Sequence, residues 1–315
     1  MVYCSLSDYC RRQYGQKLYK LTLDSGCTCP NRDGLLDTRG CLFCSAGGSG
    51  DFAAAGESLD EQFERAKARI AAKFAPGESE EGRYIAYFQS FSGTYPGKDA
   101  LTDGSFERLR VRYLDAVRRP EVRVLSIATR PDCLGPEVLD LLAELRAVKP
   151  VWVELGLQTS NEETADYIRR CYKNEVYAQA VETLKAMDIP VVTHLILGLP
   201  GETEEDMRAS VRYACNCGTW GLKLQLLHVL EGTDLGKQYK AQEAGTPLPG
   251  AKKIDIFTLE EYIALLSRLI PLVPEEVVLH RLTGDGPKRL LLAPLWSGNK
   301  KAVLNALNKA LRETP

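Results

Sequence analysis

The sequence predicts an α/β protein, a partial (β/α)6 barrel of parallel strands of the TIM type carrying a C-terminal α+β extension. Three observations predict it. Short apolar runs alternate with amphipathic runs at helical spacing about six times between residues 17 and 227. The intervening runs are long enough to serve as crossover helices, which makes neighbouring strands pair in parallel. Polar residues and glycines gather at the carboxyl ends of the strands, where folds of this kind keep their chemistry.

Taken in order, residues 17–23 (KLYKLTL) alternate and read as the first strand. Phe63, Ala66, Ile70 and Phe74 give residues 59–74 helical spacing, residues 84–88 form a strand and 106–117 a helix. A strand over 123–128, a helix over 136–148 and a strand over 151–155 follow. Residues 162–187 form one or two helices broken near Lys173 and Asn174. Strand 190–197, helix 202–215 and strand 222–227 close the series. Beyond Gly232 the pattern loosens. Residues 236–253 are polar and rich in Gly, Pro and Lys, followed by a helix over 259–270, a strand over 277–280 and a helix near 300–311. The expected organisation is an N-terminal extension and first strand (1–28), a partial barrel (29–231) and a C-terminal extension packed on it (232–315).

Composition narrows the function. A chain of 315 residues with 44% hydrophobic and 26% charged residues is ordinary globular material. A net charge of -2 and a pI near 6.1 exclude a strongly basic protein, so a nucleic-acid partner would have to meet a local basic face. Residues 1–14 lack a basic-then-apolar leader pattern and no stretch is apolar enough to span a bilayer, so a cytoplasmic location and no membrane partner are expected. Ten cysteines in a reducing compartment argue for metal or redox chemistry over disulfides.

The cysteines concentrate after the first strand, where Cys27, Cys29, Cys41 and Cys44 lie in a Gly-rich, turn-prone loop. The two-residue gap between Cys41 and Cys44 lets both thiolates face one metal centre, and Cys27 or Cys29 can fold back to join them. Four ligands would close a structural zinc site, whereas three would hold an iron-sulfur cluster with one iron open. Cys4, Cys10, Cys133, Cys171, Cys215 and Cys217 show no paired ligand spacing.

The strand ends supply the remaining candidates: Gln89, Gly93 and Thr94; Thr129, Arg130 and Asp132; Glu154 and Gln158; His194, Ile196, Gly198, Gly201 and Glu202; Gln225 and His228. Glycines there admit close backbone approach to a ligand, and polar groups from separate strands converge where something is held. Each has a plainer reading. Glu154 with Gln158 fits a satisfied buried network, His194 and His228 fit core histidines, and Gly198 to Glu202 fits a strand-to-helix turn with an acid at the helix N-terminus.

These residues carry a resemblance. The cysteine loop, Gly93-Thr94 and the run from His194 to Glu202 resemble the radical S-adenosylmethionine (SAM) superfamily. Residues 29–34 (CPNRDG), 87–89 (YFQ), 129–132 (TRPD), 154–158 (ELGLQ), 226–230 (LLHVL) and 280–285 (HRLTGD) are similar to its bacterial YhcC and YtqA type. That family is related to the radical SAM domain of the Elongator catalytic subunit. The resemblance implies that Cys29, Cys41 and Cys44 hold a 4Fe-4S cluster whose open iron takes the amino and carboxylate groups of SAM. Cys29 is chosen over Cys27 because it begins the Pro-Asn-Arg-Asp-Gly run that carries the match. The gap between Cys29 and Cys41 is wider than the commonest one of the superfamily but fits this subfamily.

The same resemblance puts Gly93 and Thr94 at the methionine amine, Glu154 and Gln158 near the ribose and carboxylate, and residues 196–201 near the adenine. Gln89, Thr129, Arg130, His194, Gln225 and His228 join them as cofactor-binding candidates. It further implies an electron donor such as flavodoxin or ferredoxin, and tRNA, at its wobble uridine, as substrate. A small metabolite is the second reading and a non-catalytic zinc-knuckle protein the third. Arg108, Arg110, Arg112, Arg118, Arg119, Arg123, Arg169, Arg170 and Lys173 are the clusters that can meet phosphates, or else solvated helix faces, since acidic residues are interspersed. His280, Arg281 and Asp285 fit a substrate-side wall or a packing corner.

Overall fold

A parallel sheet is what the crossover lengths dictate, and a curled half-barrel is what forms. The computed structural model describes residues 3–51, 53, 58–74, 79–284 and 286–313. Its elements run β1 (Cys4–Ser5), α1 (Leu6–Tyr14), β2 (Tyr19–Leu23), α2 (Leu59–Ala68), β3 (Tyr84–Phe88), α3 (Ser105–Arg118), β4 (Val122–Thr129), α4 (Pro136–Val148) and β5 (Val151–Gln158). Then come α5 (Glu162–Tyr167), α6 (Asn174–Ala186), β6 (Val191–Leu197), α7 (Glu204–Asn216), β7 (Gly221–Leu226), β8 (Val229–Leu230), α8 (Asp234–Glu243), α9 (Leu259–Leu269), β9 (Val278–Arg281), β10 (Leu291–Ala293) and α10 (Lys300–Glu313). Eight strands form one sheet in the order β1-β9-β7-β6-β5-β4-β3-β2. Every pairing in it is parallel.

Local chemistry sets the boundaries. Ser58 with Glu61, Thr203 with Asp206 and Thr258 with Glu261 close reciprocal capping boxes at the starts of α2, α7 and α9. The break expected near Lys173 has a backbone cause: Arg169 and Cys171 adopt φ of 58° and 64°, so no right-handed helix passes through them.

Two features exceed the sequence reading. β9, expected in the extension, inserts between β7 and the N-terminal β1, so the sheet itself runs past residue 231. The second is α1, which starts on the Ser5 cap, ends on left-handed Gly15 and buries Cys10 inside the barrel with Leu18, Ile85, Val124 and Trp152. Above Cys10, Tyr9, Trp152, Trp220 and His280 pack edge-to-face or tilted with ring centroids 4.9 to 6.3 Å apart. This aromatic floor seals the amino end of the barrel, and the helices cover its outer face with a continuous apolar core. Among the described residues no helix is long and apolar enough to cross a membrane.

Candidate functional site

At the carboxyl end of the barrel, strand alternation turns Glu154, Gly156 and Gln158 of β5, His194 and Ile196 of β6, and Lys223 and Gln225 of β7 inward around one cavity. Gln89, Thr129, Arg130 and His228 line it from the strand ends, and Cys29, Cys41 and Cys44 line its other side. The loop bearing the cysteines is tied to the far side of the barrel. Leu42 N–H donates to Ile168 O at 3.0 Å, and Asn31 Nδ2 donates to Arg169 O at 2.7 Å.

The three cysteines share one environment. Burial pushes the Cys41 thiol up to about 12, with Cys44 and Cys29 adding to the rise and Arg130 opposing it. Burial likewise raises Cys44 against the pull of Arg32. Asn31 Nδ2 lies 3.6 Å from Cys41 Sγ, a donor placed on sulfur. Cys27 has gone elsewhere. It packs in the outer core with a thiol pushed up to about 12 by burial, so the closed four-cysteine zinc knuckle is not built. Among the described residues no three Cys, His, Asp or Glu side chains are spaced to share a single ion. Three soft sulfur donors, flanked by guanidinium groups and spread more widely than one ion needs, fit a thiolate-held cluster.

Below the cavity Glu154 is fully buried. Its Oε1 accepts from Lys20 Nζ at 2.9 Å and Ser126 Oγ at 2.8 Å, and its Oε2 accepts from Lys223 Nζ and lies 2.7 Å from His194 Nε2. Burial opposes its charge, but Lys20, Lys223 and His194 outweigh that and hold the carboxyl well below the usual range. Burial takes His194 the other way, down to about 4, with Lys223 adding to the fall. Lys223 also donates to Tyr87 Oη at 2.9 Å. Sequence reading found Glu154 and quoted Tyr87 in a family motif but missed Lys20 and Lys223, because lysines on a strand look like its solvated face. The contacts of Glu154 make it the keystone of a wall, with no oxygen left over for a ribose.

Other predicted residues lie off the cavity. Gly93 is pinned behind β4, its N–H donating to Ala128 O at 2.8 Å and its carbonyl accepting from Tyr113 Oη. Thr94 Oγ1 bonds Thr129 Oγ1 and Cys133 O, each at 2.6 Å. Gly198 and Gly201, both at positive φ, are covered by Phe257 and Lys252 of the C-terminal segment, which separates them from the cavity. A turn glycine looks the same in sequence whether ligand or protein lies over it. Ser92, next to Gly93, lines the cavity with a buried Oγ that has no partner among the described residues.

Arg108, Arg118 and Arg123 are exposed, whereas the other members of the basic clusters are engaged internally. Arg110 forks onto Glu144 at 2.6 and 2.8 Å, Arg119 meets Asp60, Arg112 donates to Asp24 O at 3.2 Å, and Lys173 meets Asp166 at 2.9 Å. Arg169 pairs with Asp234 at 2.7 Å, and Arg170 is buried on the carbonyls of Leu157, Thr159 and Tyr172. Of the residues at 280–285, His280 joins the aromatic floor, Arg281 lines the cavity and Asp285 lies outside the described residues.

Comparison with known proteins gives concordant results. The family described as the radical SAM superfamily matches residues 38–214, and the radical SAM C-terminal domain matches residues 219–313. The chain is 40% identical over 312 residues to the uncharacterized Bacillus subtilis protein YtqA, covering 98% of this chain and 89% of that one. It is 34% identical over 303 residues to Escherichia coli K12 protein YhcC, covering 96% and 90%. A 186-residue stretch is 27% identical to the tRNA uridine(34) acetyltransferase of Methanocaldococcus jannaschii, 58% of this chain and 31% of that protein. Among solved structures, an archaeal Elp3 from Methanocaldococcus infernus superposes with a TM-score of 0.60 at 19% identity, covering 93% of this chain and 63% of that one, a likeness of fold.

Proposed function

The chain belongs to the radical SAM superfamily, and we propose that it is a tRNA-modifying member acting on the side chain of the wobble uridine. Members of the superfamily bind a 4Fe-4S cluster and SAM. Here Cys29, Cys41 and Cys44 would hold the cluster, and one observation carries that assignment: these three cysteines line one cavity with the polar strand ends while Cys27 is turned into the outer core. Bound together, cluster and SAM supply reductive cleavage of the sulfonium to a 5'-deoxyadenosyl radical that takes a hydrogen atom from substrate, the electron coming from a donor such as flavodoxin or ferredoxin.

The chain's own residues do the rest. Arg32 and Arg130 offset thiolate charge at one end of the cavity. Asn31 places a donor on the Cys41 sulfur, which favours its ionised form. Ser92, Gln158 and Gln225 offer polar groups to what binds. The aromatic floor shuts water out from below. The wobble-uridine reading is supported by the distant relative whose name carries tRNA uridine(34).

The test is anaerobic. Protein reconstituted with iron and sulfide, then given dithionite and SAM, is expected to release 5'-deoxyadenosine, and Cys41→Ala is expected to release none above background. Nucleoside analysis of tRNA from a strain lacking the gene is expected to show a precursor at the wobble uridine that purified enzyme consumes. Unchanged tRNA beside active SAM cleavage would remove tRNA and leave the superfamily chemistry standing.

A further inference from the structure

Basic side chains gather along one wall of the cavity, where burial draws Lys223 well below its ordinary value although Glu154 opposes the fall. Lys223 and Arg281 are register partners on β7 and β9, and both line the cavity. Lys20 reaches the same layer from β2, so Lys20 and Lys223 share the carboxylate of Glu154, and Arg281 beside them is left without a share in it. His194 adds no charge at neutral pH. Among the described residues the other carboxylate lining the cavity is Asp51, held by Ser45 Oγ at 2.6 Å and 4.0 Å from Arg289.

The remaining guanidinium groups of the lining are accounted for. Arg32 donates to Cys44 O and Ser45 O at 3.1 and 2.6 Å. Arg130 forks onto Asp132 at 2.7 and 2.9 Å, and Arg170 is held by three carbonyls. Arg281 alone among them forms no hydrogen bond or ion pair with the described residues. Gln225, two residues beyond Lys223 on β7, also lines the cavity without such a partner.

A half-enclosed guanidinium without a partner is costly unless a negative group completes it, and two oxygens of a carboxylate or phosphate match its fork. We propose that this wall binds an oxyanion carried by the substrate, a carboxylate or phosphate, with Arg281 as the anchor and Lys223 and Gln225 beside it. The wall is distinct from the thiol end. The cysteines follow β2 at one edge of the sheet order, whereas Arg281 sits on β9, next to the opposite edge. The proposal deepens the reading above, resting on the cavity being where substrate is held.

Calorimetric titration of the reconstituted holoprotein tests it, using succinate, inorganic phosphate, uridine 5'-phosphate and uridine, each with and without saturating SAM. Saturable binding of succinate or of phosphate-bearing probes is expected, undisplaced by SAM. Arg281→Gln is expected to weaken it at least about tenfold, Arg281→Lys to restore part of it, and Arg289→Gln at the mouth to leave it unchanged. SAM affinity is expected to stay within about twofold of wild type in Arg281→Gln, showing an intact site. Succinate binding assigns the wall to a small carboxylate, and a preference for uridine 5'-phosphate over uridine assigns it to a nucleotide phosphate. No saturable binding, displacement by SAM, or equal loss in Arg289→Gln overturns the proposal. The readout needs no turnover, so a protein that binds these anions through Arg281 yet leaves SAM intact would overturn the function above and not this wall.

Discussion

The two faces of the sheet are built on opposite plans. Along β5, outward Val153, Leu155 and Leu157 all enter one continuous apolar core beneath the helices. Inward, Trp152 belongs to the aromatic floor, Glu154 to the charged layer, and Gly156 and Gln158 to the cavity. The outer face stabilises through buried area, which is non-directional and tolerant. The inner face holds charges that are tolerable only because they hold one another, and that cost is where the chemistry resides.

Cys27 and Cys29 state this contrast within three residues, and exchanging each for alanine should break it most visibly. Cys29→Ala is expected to lose the cluster and drop 5'-deoxyadenosine to background. Cys27→Ala removes a buried outer sulfur at a cost of about 1 kcal/mol and is expected to keep full iron and sulfide. Metal analysis and product assay of the two variants together make the check. Iron lost from Cys27→Ala would erase the division between faces.

The next largest effect separates the faces by rescue. Lys223→Met leaves Glu154 short of a partner in a buried layer and is expected to cost about 3–5 kcal/mol. Leu224→Ala, its outward neighbour, is expected to cost about 2–5 kcal/mol through a cavity. The costs overlap, but their couplings differ. Adding Glu154→Gln to Lys223→Met should recover part of the loss, because the uncompensated charge goes with it, whereas Glu154→Gln should add to Leu224→Ala. Urea unfolding of the single and double variants reads this directly.

How far the sequence foretold this follows from the same contrast. Helix and strand periodicity reports the outer face, so the β/α series was legible from Leu21 to Leu226. A two-residue strand such as β1 has no period to report, and the polar helices α1 and α8 bury too few residues to stand out. On the inner face, residues at strand ends were legible because position along a parallel strand implies the cavity. Partners across the barrel were not. Lys20 meets Glu154 from 134 residues away, and Arg281 reaches the cavity because β9 joins the sheet out of sequence order. Gly198 and Gly201 read as ligand-side because only tertiary packing reveals Phe257 and Lys252 above them.

The smallest expected effect is a pH dependence that belongs to the inner face alone. The histidines of the chain are His194, His228 and His280. Burial lowers His194 to about 4 and His280 well below its ordinary value, so both are neutral when folded. In the unfolded chain each takes up a proton near pH 6.5. A depressed folded value gives stability that is complete above pH 6.5 and lost as pH falls, since the unfolded state then binds more protons. Between pH 6.5 and 5, where Glu154 stays ionised in both states, His194 should account for about 2 kcal/mol of loss. His194→Gln should therefore flatten that limb while leaving the slope due to His280, and His280→Gln added to it should flatten it further. Urea midpoints at pH 7, 6 and 5 measure the slopes. A wild-type profile flat over this window would mean that His194 is charged beside Glu154, making the inner layer more cationic than described. The hydrocarbon of the outer core has nothing to titrate, so Leu224→Ala should shift the whole profile down and keep its slope.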